Sequence, residues 1–184
     1  MARKLKKRVL KDRILLVSEG KETEQNYFKG LCQILRISIE IKDINKTSLG
    51  SLLAKVKRIV DNAKREKNPF TQVIFIVDKD DFQHYEQDKN DVKKIDNFHV
   101  FFSEPCFEYW LLLHFQPIKK PFNNCQTLKS DKDFIRNFSE YKKNNIDVFP
   151  ILANKLQDAC KNAKNNPHTN LNELVEYLQN IKNR

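Results

Sequence analysis

The sequence predicts an α/β fold: a mostly parallel, four-stranded sheet flanked by helices, with a C-terminal helical extension. Three observations predict it. Short apolar runs alternate with segments of helical periodicity up to about residue 116. One run, "QVIFIVD" at 72–78, is apolar and β-branched without alternation, as a central strand covered on both faces should be. Beyond residue 117 the strand signals stop and only helical patterns follow.

Taken in order, "RILLVS" at 13–18 reads as a buried strand that ends on Glu19-Gly20. Tyr27, Leu31, Ile34 and Leu35 then recur at helical spacing. "ISIEI" at 37–41 alternates as a second strand. Ser48 is a cap for a helix reaching about Arg65, with Leu52, Leu53, Val56, Ile59, Val60 and Ala63 inward, and Asn68-Pro69 ends it. After the 72–78 strand, 81–97 is polar and partly helical, and "FHVFFS" at 98–103 is the fourth strand. "PCFEYWLLLHF" at 105–115 opens on a proline suited to a first helical turn and is apolar nearly all round. A loop over 116–129 precedes helical segments at 130–143, about 148–164 and 170–182, the last with Asn170 and Glu173 at capping-box spacing. The expected organisation is a basic arm at 1–12, an α/β core at 13–116 and a helical extension packed on it at 117–184.

The 184 residues suffice for one core plus such an extension. Apolar residues make up 40%, and 13 Phe argue for a folded chain. The formal charge is +10, and much of the excess sits in Arg3, Lys4, Lys6, Lys7, Arg8, Lys11 and Arg13 against Asp12 alone. Such an arm is either a solvated tail or an arm for a polyanion, nucleic acid above all. Cys32, Cys106, Cys125 and Cys160 are scattered, with no CxxC pair, no disulfide spacing and no secretory leader. The apolar runs are too short to span a bilayer. A cytoplasmic protein with four ordinary thiols and no membrane partner is expected.

The chemistry lies at strand ends. Glu19 ends the first strand, and Asp78 and Asp80 in "VDKDD" end the third. In an open parallel sheet those ends share one edge, where ligands bind. Clustered carboxylates repel unless a cation relieves them, and Mg2+ favours carboxylate oxygens while keeping sites for phosphate oxygens. In extended chain Asp78 and Asp80 point to one side and Lys79 to the other, while Asp81 suits a helix cap. Gly20 permits a close backbone approach to phosphate. Strand-end acids also serve as plain caps or solvated charges.

"LLVSEG" followed by "VIFIVDKDD" resembles the Toprim domain, a Rossmann-like module of topoisomerases, primases and nucleases. With "EGKETEQNYF", "EPCFEYWLLLHF" and "PHTNLNELVEYL" added, the chain from about 13 to 180 resembles the RloB-like family, bacterial Toprim-type proteins of phage-defence and restriction loci. The resemblance implies that Glu19 acts as general acid or base and shares a Mg2+ ion, or Mn2+, with Asp78 and Asp80. Toprim nucleases often carry an acid four residues after the glutamate. Here that position is Thr23, flanked by Glu22 and Glu24, and the family block favours Glu24. Glu104 stands where the family usually has Asn, either opposing phosphate or facing solvent.

Glu108 and His114 lie on an otherwise apolar helix but six residues apart, and so on different faces. Glu108 either pairs with a lysine or looks into the cleft. His114 is a buried imidazole or a further site residue, and Trp110 is core. His168 is expected at the surface, with Thr169 or Asn170 capping the last helix. Lys21 and Lys79 flank the acids as phosphate contacts or as solvated charge, and Lys119 and Lys120 begin the extension.

The expected activity is Mg2+-dependent phosphodiester hydrolysis on nucleic acid in phage defence. The chain has no room for the gate domains of a topoisomerase or the transfer domains of a primase. The alternatives are a non-catalytic nucleic-acid- or nucleotide-binding subunit partnering an ATPase, and a nucleotide-directed phosphohydrolase.

Overall fold

The computed structural model describes residues 12–18, 22–44, 48–79, 84–139, 141 and 147–182. Strand β1 (Ile14–Ser18) leads through helix α1 (Thr23–Leu35) to β2 (Ile39–Asp43). Helix α2 (Leu49–Arg65) leads to β3 (Gln72–Asp78), and α3 (Tyr85–Lys93) to β4 (Phe98–Ser103). The four strands form one sheet in the order β2-β1-β3-β4, parallel throughout, a Rossmann-like arrangement. Helix α4 (Glu108–Leu113) is followed by short helices α5 (Cys125–Lys129), α6 (Lys132–Asn137) and α7 (Phe149–Leu152). A 3-10 turn (Ala153–Lys155), α8 (Leu156–Ala163) and α9 (Leu171–Lys182) complete the described chain.

Alternation along the strands divides the core. Ile14, Leu16, Ile74, Ile76 and Phe101 face one layer; Leu15, Val17, Val73, Phe75, Val77 and Val100 face the other. Helices α2 and α3 cover the second layer with Leu52, Val56 and Val92. The first layer is thicker. It contains α1 and α4, and residues beyond 117 contribute Leu128, Phe134, Leu152, Leu171, Leu174 and Leu178 to the same buried cluster. Both central strands are buried along almost their whole length, and full burial of each Leu, Ile or Val stabilises by about 1.5–3 kcal/mol. Gly30 on α1 lets the Phe149 ring of α7 lie against the helix, because a Cβ there would collide with the ring.

Several element boundaries differ from expectation. The second strand begins at Ile39 because Ile37 closes α1. Arg36 takes a left-handed conformation (φ 57°), its N–H bonds to Gln33 O, and Ile37 N–H bonds to Cys32 O. Ile34 is 58% exposed, just outside the buried arc running from Tyr27 to Cys32. Pro105 does not open α4: it follows a cis Glu104–Pro105 peptide, and the first helical bonds run from Cys106 and Phe107. The helix expected over 130–143 is the shorter α6, started where Asp131 Oδ1 accepts from Asp133 N, and α5 stands in the expected 116–129 loop. Asn170 does not cap α9. Its Oδ1 accepts from Phe102 N of β4 at 2.8 Å, and Thr169 Oγ1 accepts from Leu171 N instead. Among the described residues no helix is long and apolar enough to cross a membrane.

Candidate functional site

In the order β2-β1-β3-β4, the chain leaves β1 towards one side and β3 towards the other. Their shared carboxyl edge is therefore the point where ligand crevices form in open α/β sheets. Ser18, the last residue of β1, lies opposite Ile76, and Asp78 closes β3 opposite Ser103 of β4. Asp78 is half-buried at this edge. Glu19, Gly20, Lys21 and Asp80 lie outside the described residues, as do Arg3, Lys4, Lys6, Lys7 and Arg8 of the arm.

Two more carboxylates gather at this edge. Helix α1 starts at Thr23, so Glu24 falls in its first turn, where the helix dipole favours an anion, and it is 4% exposed. Glu22, at the N-cap, is exposed and makes no capping bond through its side chain. Glu108 opens α4 and is 1% exposed. Tyr141 stands between them: its hydroxyl donates to Glu108 Oε1 at 3.1 Å and lies 3.4 Å from Thr23 Oγ1. Burial, then the charge of Glu108 and, more weakly, that of Glu24, push the Tyr141 phenol far up, so it remains a proton donor. Glu24 and Glu108, far apart in sequence, thus face one hydroxyl.

Glu108 Oε2 lies 3.4 Å from Cys125 Sγ. Cys125 is joined to Cys106 in a disulfide with a Cα–Cα distance of 5.6 Å, which corrects the expectation of four ordinary thiols. The free thiols among the described residues are Cys32 and Cys160, which burial pushes up to about 12 and about 11. Neither is a nucleophile at neutral pH.

Lys79 is partly exposed and paired. Its amine lies 3.2 Å from Glu104 Oε2 and 5.6 Å from the Phe102 ring centroid. Glu104, itself partly exposed, is accordingly a paired rather than a bare charge. His168, expected at the surface, is half-buried beside it: Nδ1 is 3.6 Å from the same oxygen, and the backbone carbonyl accepts from Glu104 N. Lys120 pairs with Asp131.

His114 belongs to the core, away from this edge. It is 1% exposed, with Nε2 2.9 Å from Tyr27 Oη and Nδ1 3.0 Å from Trp110 O. A carbonyl only accepts, so Nδ1 carries the proton and Nε2 accepts from Tyr27. Burial lowers its pKa to about 4, so the ring is neutral at physiological pH. Trp110 is likewise fully buried.

The structure thus brings Glu24, Glu108 and Asp78 to one side of the sheet and leaves His114 out. Tyr141, Thr23 and the sulfur pair carried no signal in the sequence. No periodicity marks Tyr141, and a separation of 19 residues between Cys106 and Cys125 follows no known spacing.

No curated protein and no solved structure matches the chain significantly. One family model, described as RloB-like protein, matches residues 14–178. That match runs from the first residue of β1 into α9 and takes in the sheet, its carboxyl edge and the helical layer, so the chain belongs to the RloB-like family.

Proposed function

We propose that the protein is a Toprim-type, metal-dependent hydrolase of phosphodiester bonds in nucleic acid, acting in bacterial defence against phage. The observation that carries this reading is the adjacency of β1 and β3 in parallel register, with Asp78 ending β3 at the edge where the chain leaves β1 towards Glu19. The donor set fits a hard divalent cation. Asp78, Asp80 and Glu19 all offer carboxylate oxygens, and Mg2+ prefers such ligands while retaining positions for water and phosphate. Bound there, the ion would supply Lewis-acid stabilisation of charge on the phosphate. Glu19 would move the proton between water and the leaving oxygen. Glu24, held in the first turn of α1, would add negative charge behind Glu19 and keep that proton exchangeable. The basic arm would supply sequence-independent affinity for a polyanion.

The test is cleavage of labelled RNA and DNA by the purified protein with Mg2+ or Mn2+. Asp78→Asn and Glu19→Gln should each lower the rate by at least about 100-fold, with folding unchanged. Cleavage that survives both substitutions would overturn the reading. A wild type that cleaves neither polymer but hydrolyses nucleotides makes it a nucleotide phosphohydrolase. Binding without hydrolysis, indifferent to either substitution, makes it a binding subunit for a partner such as an ATPase.

A further inference from the structure

Two sulfurs and a carboxylate converge where α4 and α5 begin. Cys106 lies in the turn before α4 and is 2% exposed; Glu108 is the first residue of α4; Cys125 is the first residue of α5 and half-buried. Their ligand atoms lie within 4.8 Å of one another, and among the described residues no other group of three His, Cys, Asp or Glu does so. Helix capping fixes this placement. Asn124 and Thr127 form a capping box that starts α5 and presents Cys125 to α4.

The carboxylate is the unexplained member. Glu108 is buried, yet among the described residues no Lys, Arg or His forms an ion pair with it. Tyr141 satisfies Oε1, while Oε2 meets a disulfide sulfur that has no proton to give. A buried carboxylate oxygen with no donor is costly, and a cation at Oε2 would remove that cost.

We propose that the reduced form of this pair is a zinc site, with Cys106, Cys125 and Glu108 as ligands and water in the fourth position. A dithiol reductant breaks the S–S bond by exchange, giving two thiols and its own disulfide. Zn2+ then displaces both thiol protons and binds two thiolates and the Glu108 carboxylate. Zinc fits better than magnesium because thiolates select softer ions. In a tetrahedral zinc site with ordinary Zn–S and Zn–O bonds, sulfur and oxygen ligands stand about 3.6 Å apart. Cys125 Sγ and Glu108 Oε2 already stand at 3.4 Å. Tyr141, hydrogen-bonded to the other carboxylate oxygen, would hold Glu108 in its ligating orientation. Half-burial leaves Cys125 within reach of a small reductant. Oxidation reverses the exchange and expels the ion, so metal content reports redox state. The site shares no ligand with the proposed magnesium set of Glu19, Asp78 and Asp80 and stands whether or not those bind the ion.

The test is elemental analysis of the full chain after reduction with a phosphine, addition of zinc and removal of free metal. The reduced protein should retain about one zinc per chain, and the oxidised protein none. Cys106→Ser and Cys125→Ser should each weaken retention by more than about 100-fold, Glu108→Gln by about 10-fold, and Cys160→Ser not at all. Cobalt in place of zinc should give a thiolate-to-metal charge-transfer band and the strong visible absorption of a four-coordinate ion. That spectrum is read on the wild type, so it decides even if a serine variant fails to fold. Reduced wild type that holds no more zinc than Cys106→Ser, or cobalt protein without the charge-transfer band, would overturn the proposal.

Discussion

His114 shows how one buried side chain can be read twice. As an ionisable residue in an apolar helix it invites a catalytic role, but its two nitrogens are already committed to Tyr27 and Trp110. The commitment has a pH signature. Its folded pKa, near 4, lies below the unfolded value of 6.5, so the unfolded chain binds the extra proton between those values. Stability is therefore full above pH 6.5 and falls as the pH drops towards 4, by on the order of 3 kcal/mol from this residue. His114→Gln should be less stable at pH 7 by about 1–3 kcal/mol, because one partner loses its bond. It should also lose stability less steeply between pH 7 and 5, and urea denaturation at several pH values would read both effects. Asp78 was legible because it ends an apolar run. Tyr141 was not, since its role depends on two helices meeting rather than on its neighbours in sequence.

At the scale of elements, two strands were legible to the residue, one inside the sheet and one at its edge. Gln72–Asp78 falls where its apolar run falls, because burial on both faces leaves no alternative register, and the edge strand Phe98–Ser103 also matches its run. The edge strand β2 slipped by two positions, since the sequence did not reveal that Arg36 would adopt a left-handed turn and take Ile37 into the end of α1. The end of α9 was misread for a related reason. Asn170 and Glu173 have the spacing of a cap, but the asparagine side chain serves β4, accepting from Phe102 N. Asn170→Ala should therefore cost about 1–3 kcal/mol, the penalty for an abandoned backbone N–H. Asn170→Asp keeps the acceptor and should cost less. Thermal melts of the two variants would read the difference.

For the whole molecule, the asymmetry of the two layers matters most. The layer over α2 and α3 is closed by residues before 103, whereas the layer over α1 depends on Leu128, Phe134, Leu152, Leu171, Leu174 and Leu178 from beyond 117. A change of character at 117 in the sequence marks where strands stop, not where the core stops. A chain ending at residue 116 should show no cooperative unfolding transition and should bind a hydrophobic dye, because one face of its sheet would be open. Calorimetry and dye fluorescence would check this, and an intact melt of the fragment would contradict it.

The segment before α9 also settles the outer flank of β4. Ser103 and Thr169 form an antiparallel bridge, Phe102 N and O are taken by Asn170 and Thr169, and Glu104 N donates to His168 O. On the opposite flank β2 carries Glu40 and Lys42, locked to each other and to Arg13. The carboxyl end of β4 is therefore covered, while the charges on β2 disfavour pairing with a foreign strand, two guards against growing the sheet into an aggregate.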